Sequence, residues 1–433
     1  MEIYNKVSDI PASSIHVPVE LKLDDLEKMI NEQVGNLLLS QGDNISGPND
    51  DFDIRIEKSG DIELEIQGSD INIKVPLDLY IWKDIGLTIV KGEGELELFF
   101  LTDYKITEDW ELNTKTTIDK YVWKKKPVVK LGFVNIPIKS IANKLVERSK
   151  ETVAREIDKQ LQDNFALKEY LVPTWQKLQE PIKVSDDYDA WLKVVPEKVG
   201  MTPIVTTNRK ISTTLVIETD AKVILGGFKV DTTLLPLLPF TEIEKAHDAY
   251  HLRLKTAIPY TAAEQLAKKE LIGQTFEDGG RTVTVKDIKI FGRKDEVVIN
   301  TVFSGSYEGS LYLIGKPGYN AKEEMLELKN LDFELKTSNF LHKSMAWLFQ
   351  KGLKKKLRES LRLPIGDKKK EWKKVIEEQL ANLEIPSNIK MTANIDDLNI
   401  QEIFVAEEAV LLLVTSKGKL RLDIQDLEIL NGR

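Results

Sequence analysis

A chain of 433 residues exceeds what one hydrophobic core usually organises, so two units or an elongated architecture are expected. Its 42% hydrophobic and 30% charged residues fit a folded globular protein, and a net charge of −9 argues against general nucleic-acid binding, because phosphates would be repelled. The absence of cysteine removes disulfides, thiolate metal sites and cysteine nucleophiles, and no run reaches the roughly 18 apolar residues of a membrane-spanning helix.

The first seven residues have neither a charged n-region nor an apolar h-region, so no signal peptide is read there. The compartment stays open: cell envelope or periplasm where a leader has been removed, cytoplasm otherwise. Val17, Val19, Leu21 and Leu23 then alternate as a half-buried strand. Asp24 and Glu27 form a capping-box pattern, and Leu26, Ile30, Val34 and Leu37 recur at helical spacing.

A meander follows a polar loop at 42–51. Phe52, Ile54 and Ile56 alternate, then Ile62, Leu64 and Ile66, then Ile71, Ile73, Val75 and Leu77, with Ser59-Gly60 and Gly68-Ser69 as turns. Segments 94–100 and 110–118 continue the alternation, one face apolar and the other charged. Ile138, Ile141, Leu145, Ser149, Val153, Ile157 and Leu161 next mark one stripe of a helix about 40 Å long. Strands return at 192–195 and 211–219.

The order then repeats. Leu252, Leu254 and Ile258 read as a strand, and Thr261 with Glu264 as a second capping box. Strands fill 282–335, and a second helical region starts near Leu341 and runs through Met345, Leu348, Gly352 and Leu357. Pro364 breaks it, Asp367 opens a further helical stretch with Trp372, Ile376 and Leu380, and the chain closes on strands at 389–391, 409–414 and 419–424. The expected fold is therefore α+β, elongated, with two pseudo-repeated units, 1–235 and 236–433. Each is a curved antiparallel sheet wrapped around a long helix, and the apolar "LLPLLPF" at 234–240 forms the junction.

The stretch "LIGKPGYNAKEEMLELKNLDFELKTSNFLHKSMAWLFQKGLKKKLRESLRLPIG" at 313–366 resembles a bacterial family known as domain of unknown function 4403. The positions that carry the likeness are Gly315, Pro317, the strand 331–335, Ala346, Trp347, Leu348, Pro364 and Gly366. "SSIHVPVELKLDDLEKMIN" and "KPVVKLGFVNIPIKSIANKL" are also similar, so the resemblance spans nearly the whole chain, and it carries over no catalytic residues. The order of elements resembles the tubular lipid-binding (TULIP) superfamily, which includes bactericidal/permeability-increasing protein (BPI). That BPI-like resemblance implies an apolar seam between helix and sheet that takes up acyl chains.

Candidate chemistry is sparse. His247, Asp248 and His251 make "HDAYH", a histidine pair at i, i+4 that lacks the Glu of the helical zinc-hydrolase motif and a third ligand, while His16 and His342 stand isolated. Gly92-Glu93-Gly94 reads as a turn or bulge rather than a phosphate loop, and Glu93, Glu95 and Glu97 as a solvated face. Asp43, Asp50, Asp51 and Asp53 lack the spacing of a calcium site. From Lys343 to Lys374, twelve Lys/Arg stand against Glu359, Asp367 and Glu371. Within that run Lys354, Lys355, Lys356, Arg358, Lys368, Lys369 and Lys370 are candidates for docking on anionic headgroups, the alternative being a solvated outer face.

The expectation is non-catalytic binding of lipid or another hydrophobic small molecule, with no cofactor, no metal and no nucleic acid. Peripheral contact with an anionic membrane is a candidate interaction. Seam candidates are Leu26, Ile30, Ile141, Leu145, Val153, Met345, Leu348 and Phe349. The alternative is a structural or protein-binding scaffold of the cell envelope with a closed core and an exposed apolar patch at 234–240. An enzyme would need polar groups gathered from distant segments, which spacing does not indicate.

Overall fold

The protein's structure, a computed structural model, describes residues 13–33, 37–39, 53–67, 70–84, 89–131, 134–137, 139–164, 167–225, 231–278, 280–306, 308–336, 355, 358–382 and 389–424. It is built mainly of antiparallel sheet, in three sheets, with few helices.

The first sheet has seven strands. Strands β2 (Leu37–Leu39), β3 (Asp53–Lys58), β5 (Asp70–Asp84), β6 (Ile89–Ile106), β7 (Leu112–Leu131) and β8 (Val134–Pro137) lie in that order, and β4 (Glu63–Gln67) also pairs with β5. The predicted alternation holds. Leu77, Leu79 and Ile81 of β5 and Leu96, Leu98 and Phe100 of β6 all point into one apolar core. Over that core lie helix α1 (Leu23–Gln33), through Leu23, Leu26 and Met29, and the long helix α2 (Lys139–Asn164), through Ala142 and Val146. At 26 residues α2 is about 39 Å long, as the stripe predicts.

The second sheet has nine strands and mixes early and late sequence. Strand β1 (Ser13–Lys22) pairs along its length with β12 (Lys210–Ile224), which also pairs with β10 (Ala190–Met201). On its other side β1 touches β14 (Tyr250–Pro259) and runs parallel to β22 (Ala409–Ile424), and β21 (Ile389–Val405) closes that edge. The short strands β9 (Ile182–Ser185), β11 (Val205–Thr207) and β13 (Phe240–Glu242) add to β10 and β12. Helix α3 (Leu167–Gln179) reaches this core with Trp175, and α5 (Gly366–Ala381) with Trp372 and Ile376. The third sheet, six strands in sequence order, comprises β15 (Thr275–Asp278), β16 (Arg281–Arg293), β17 (Glu296–Gly305), β18 (Gly309–Asn320), β19 (Met325–Lys336) and β20 (Leu363–Pro364). Helix α4 (Tyr260–Leu271) packs on it through Ala267 and Leu271.

Several local expectations are corrected. Helix α1 is described to Gln33, and Leu37, expected on its stripe, lies in a strand, while Val34 is outside the described residues. Neither capping box forms as expected. Asp24 and Glu27 instead hold the Arg209 guanidinium, at 2.6 and 2.5 Å, while Glu27 also accepts the Leu64 N–H at 2.7 Å. Helix α4 starts at Tyr260 behind Pro259, with no side-chain cap, and Glu264 accepts the Ile290 N–H of the sheet below. The final two predicted strands are one continuous strand, β22. Helix α3 was not predicted, because Pro173 lies inside it. The Gly92-Glu93-Gly94 stretch is a bulge in β6, as expected, with its register shift between Glu93 and Glu95.

Candidate functional site

Along α2 the helix–sheet boundary has two kinds of contact. Near its start, Asn143 Oδ1 accepts the Trp123 indole N–H at 3.0 Å. Four turns later Asp158 accepts both the Thr116 hydroxyl, at 2.6 Å, and the Thr116 backbone N–H, at 3.1 Å. Thr116 also shares a 2.8 Å hydrogen bond with the fully buried Thr102. Among the described side chains between these ties, Val146, Val153 and Ile157 on the helix and Ile118 and Tyr121 on β7 all belong to or pack against the same apolar core, and all but Val146 stay only partly buried. A helix tied at both ends along an apolar middle is what a seam between helix and sheet requires.

The expected seam residues fall on both sides of this line. Leu26 is buried in the shared core, and Ile30 and Val153 pack against it half-buried. Ile141 and Leu145 lie in α2, but their side chains are outside the described residues, as are Met345, Leu348 and Phe349 entirely. Spacing missed the ties. Their signal was available: Thr102 occupies an inward position after Leu96, Leu98 and Phe100, and Asp158 follows Ile157 on the apolar stripe.

Among the described residues of the basic run, most cations are paired with carboxylates of the same chain. Lys368 bonds Asp187 and Glu371 at 2.9 and 3.1 Å, Lys370 bonds Asp367 at 3.0 Å, and Lys374 lies 3.6 Å from Glu378. Lys369 is the most enclosed: its ammonium sits 2.8 Å from Glu324, which holds that carboxyl below its usual range, and 3.4 Å from Asn399. Lys355 and Arg358 are exposed, Lys355 at 3.9 Å from Glu359, while Lys354 and Lys356 lie outside the described residues.

The junction at 231–239 has no regular structure, yet its backbone is held by buried side chains. Trp175 donates to the Leu235 and Pro236 carbonyls at 3.1 and 3.0 Å. Gln179 accepts the Leu235 N–H and returns a bond to its carbonyl, and Trp110 donates to Leu238 O at 2.8 Å. The buried Lys193 ammonium bridges the Gln179 and Thr233 carbonyls at 2.7 and 3.2 Å. The side chains of Leu234 and Leu235, in contrast, are exposed.

His16 is not isolated, correcting the spacing argument. It is buried in β1, with its ring 5.6 Å from that of His247, and Ser14 of the same strand lies opposite His251. Both His16 nitrogens are committed: Nδ1 accepts the His247 backbone N–H at 3.2 Å and Nε2 meets Ser14 Oγ at 3.1 Å. Among the described residues no group of three His, Cys, Asp or Glu side chains is placed to hold a metal ion. His342, Asp43, Asp50 and Asp51 lie outside those residues. Glu95 and Glu97 face Lys125 and Lys124 on the outer side of the sheet, as a solvated face would. No described helix is long and apolar enough to cross a membrane.

No curated protein matches the chain. Among solved structures, a crystal structure of lipopolysaccharide binding protein aligns with 95% of this chain and 99% of its own, at 10% identity and a TM-score of 0.31, a likeness too low to support an argument. The sequence family is another matter: the model of domain of unknown function 4403 matches residues 11–424, and the chain belongs to that family.

Proposed function

We propose that this protein binds lipid or another hydrophobic molecule, without catalysis, in a seam between the long helix α2 and the seven-stranded sheet. What supports the reading is the half-buried apolar line of Val153, Ile157, Ile118 and Tyr121, enclosed between the Asn143–Trp123 and Asp158–Thr116 ties. Binding there comes from apolar burial, with few polar groups to select a headgroup. The proposal includes two elongated pseudo-repeated units meeting near residue 235, each with a long helix against its sheet, and peripheral contact with an anionic membrane through the exposed Lys355 and Arg358. The protein's compartment would be the cell envelope or periplasm where a leader has been removed, and the cytoplasm otherwise.

Native mass spectrometry of the purified protein, followed by organic extraction, tests it. Excess mass that extracts as acyl-chain species, and is lost in a folded Val153→Trp variant that fills the seam, is the expected result. Bare mass after incubation with mixed lipids overturns it. That outcome favours a second reading, a closed scaffold for a protein partner, which the exposed Leu234 and Leu235 on a rigidly held backbone would suit.

A further inference from the structure

We propose that the contact of His16 with residues 243–249 is a proton-operated catch, holding the crossing from β13 to β14 against β1 when His16 is neutral and releasing it when His16 is protonated. The geometry sets the direction. A backbone amide has only a hydrogen to offer, so the His247 N–H bond requires a lone pair on His16 Nδ1 and places the ring proton on Nε2, toward Ser14. A second proton must go to Nδ1, and two donors then face each other in a buried site.

The surroundings offer little compensation. His16 shares its face of the nine-stranded sheet with Ser14 and, across β12, with Val216 and Glu218. The Glu218 carboxylate lies 3.7 Å from Lys198 of β10. From the crossing comes the His247 ring, with Asp248 exposed beside it; from β14 come His251 and Arg253, and from β22 comes Lys417, paired with His251. Burial, then His247 and His251, hold the His16 imidazole below its usual range, and burial and Lys417 do the same for His251. The folded protein therefore binds fewer protons than the released form. Closure is complete above the ordinary histidine pKa of about 6.5 and weakens as pH falls from there toward the lowered folded value. This inference does not depend on the hydrophobic-ligand reading.

Hydrogen exchange read by mass spectrometry on peptides covering 243–250, corrected for the intrinsic exchange rate, tests it. Protection should fall between pH 7.5 and 5.5, by at most about tenfold per pH unit for one proton taken up, while peptides from β17 and β18 stay unchanged. His16→Asn keeps an oxygen acceptor but cannot be protonated, so its protection should be independent of pH. Should that variant misfold, the histidine C–H resonances of the unaltered protein decide, with His16 expected to titrate below the ordinary value. Flat protection in the unaltered protein, a pH response that persists in a folded His16→Asn, or titration of His16 at or above the ordinary value each overturns the catch.

Discussion

Replacing Asp158 with alanine should loosen the far end of α2 from the sheet. The carboxylate takes two hydrogen bonds from Thr116, at 2.6 and 3.1 Å, and Thr116 in turn holds Thr102. Thr102 has no exposed surface and Thr116 has 7%, so water does not replace the lost acceptor. Hydrogen bonds to a charged group contribute about 1.5–3 kcal/mol each, and a donor left buried without a partner costs about 1–3 kcal/mol. Partial relaxation reduces the sum, and we expect a net loss of about 3 kcal/mol. Urea unfolding followed by tryptophan fluorescence would read it as a lower midpoint at unchanged slope. Thr116→Val in the Asp158→Ala background removes the stranded hydroxyl, so the double variant should recover about 1 kcal/mol relative to additivity. A loss below about 0.5 kcal/mol, or strict additivity of the two changes, refutes the reasoning.

Two further outcomes are expected. Trp175→Phe keeps an aromatic ring but loses the indole donor to the Leu235 and Pro236 carbonyls and part of its buried volume, so cleavage by a protease within 231–239 should accelerate at least about tenfold, equivalent to about 1.4 kcal/mol of local opening. Burial pushes the Tyr260 hydroxyl, which donates to Ala406 O at 2.7 Å, up to about 12. The raised value means its stabilising contribution is intact below the ordinary tyrosine pKa of about 10 and disappears as pH rises toward about 12. Tyr80, Tyr104 and Tyr250 are also held above the ordinary range, so an ultraviolet titration should show several late-ionising tyrosines, with one late component lost in Tyr260→Phe.

The fold was legible where one chemical preference acts alone. Strict alternation in β5 and β6 gave the sheet faces, and the stripe from Ile138 to Leu161 gave α2 to within a few residues, because burying one apolar face of a regular element leaves little choice of period. It was illegible where a long-range partner decides. Asp24 and Glu27 look like a cap, and only the distant Arg209 reveals their use. His16 looked solitary because 231 positions separate it from His247, and nothing local foretells that β1 pairs with β12. The polar ties of α2 lay between these cases: threonine at an inward position and aspartate on an apolar stripe are local anomalies that ask for a partner without naming it.

Because β1 is sandwiched between strands supplied much later, the molecule cannot finish folding as it emerges from the ribosome. Ser13 is bonded to Arg253, 240 positions on, and Glu20 meets Arg421, 401 positions on. The seven-stranded sheet with α1 and α2 contains only early residues and can form cotranslationally, whereas the nine-stranded sheet must wait for its last strand. Loops of that length are slow to close and leave strand edges bare in the interval. The early strand β1 is thus a template held open through nearly the whole of synthesis, and a chain cut near residue 235 would never fill it.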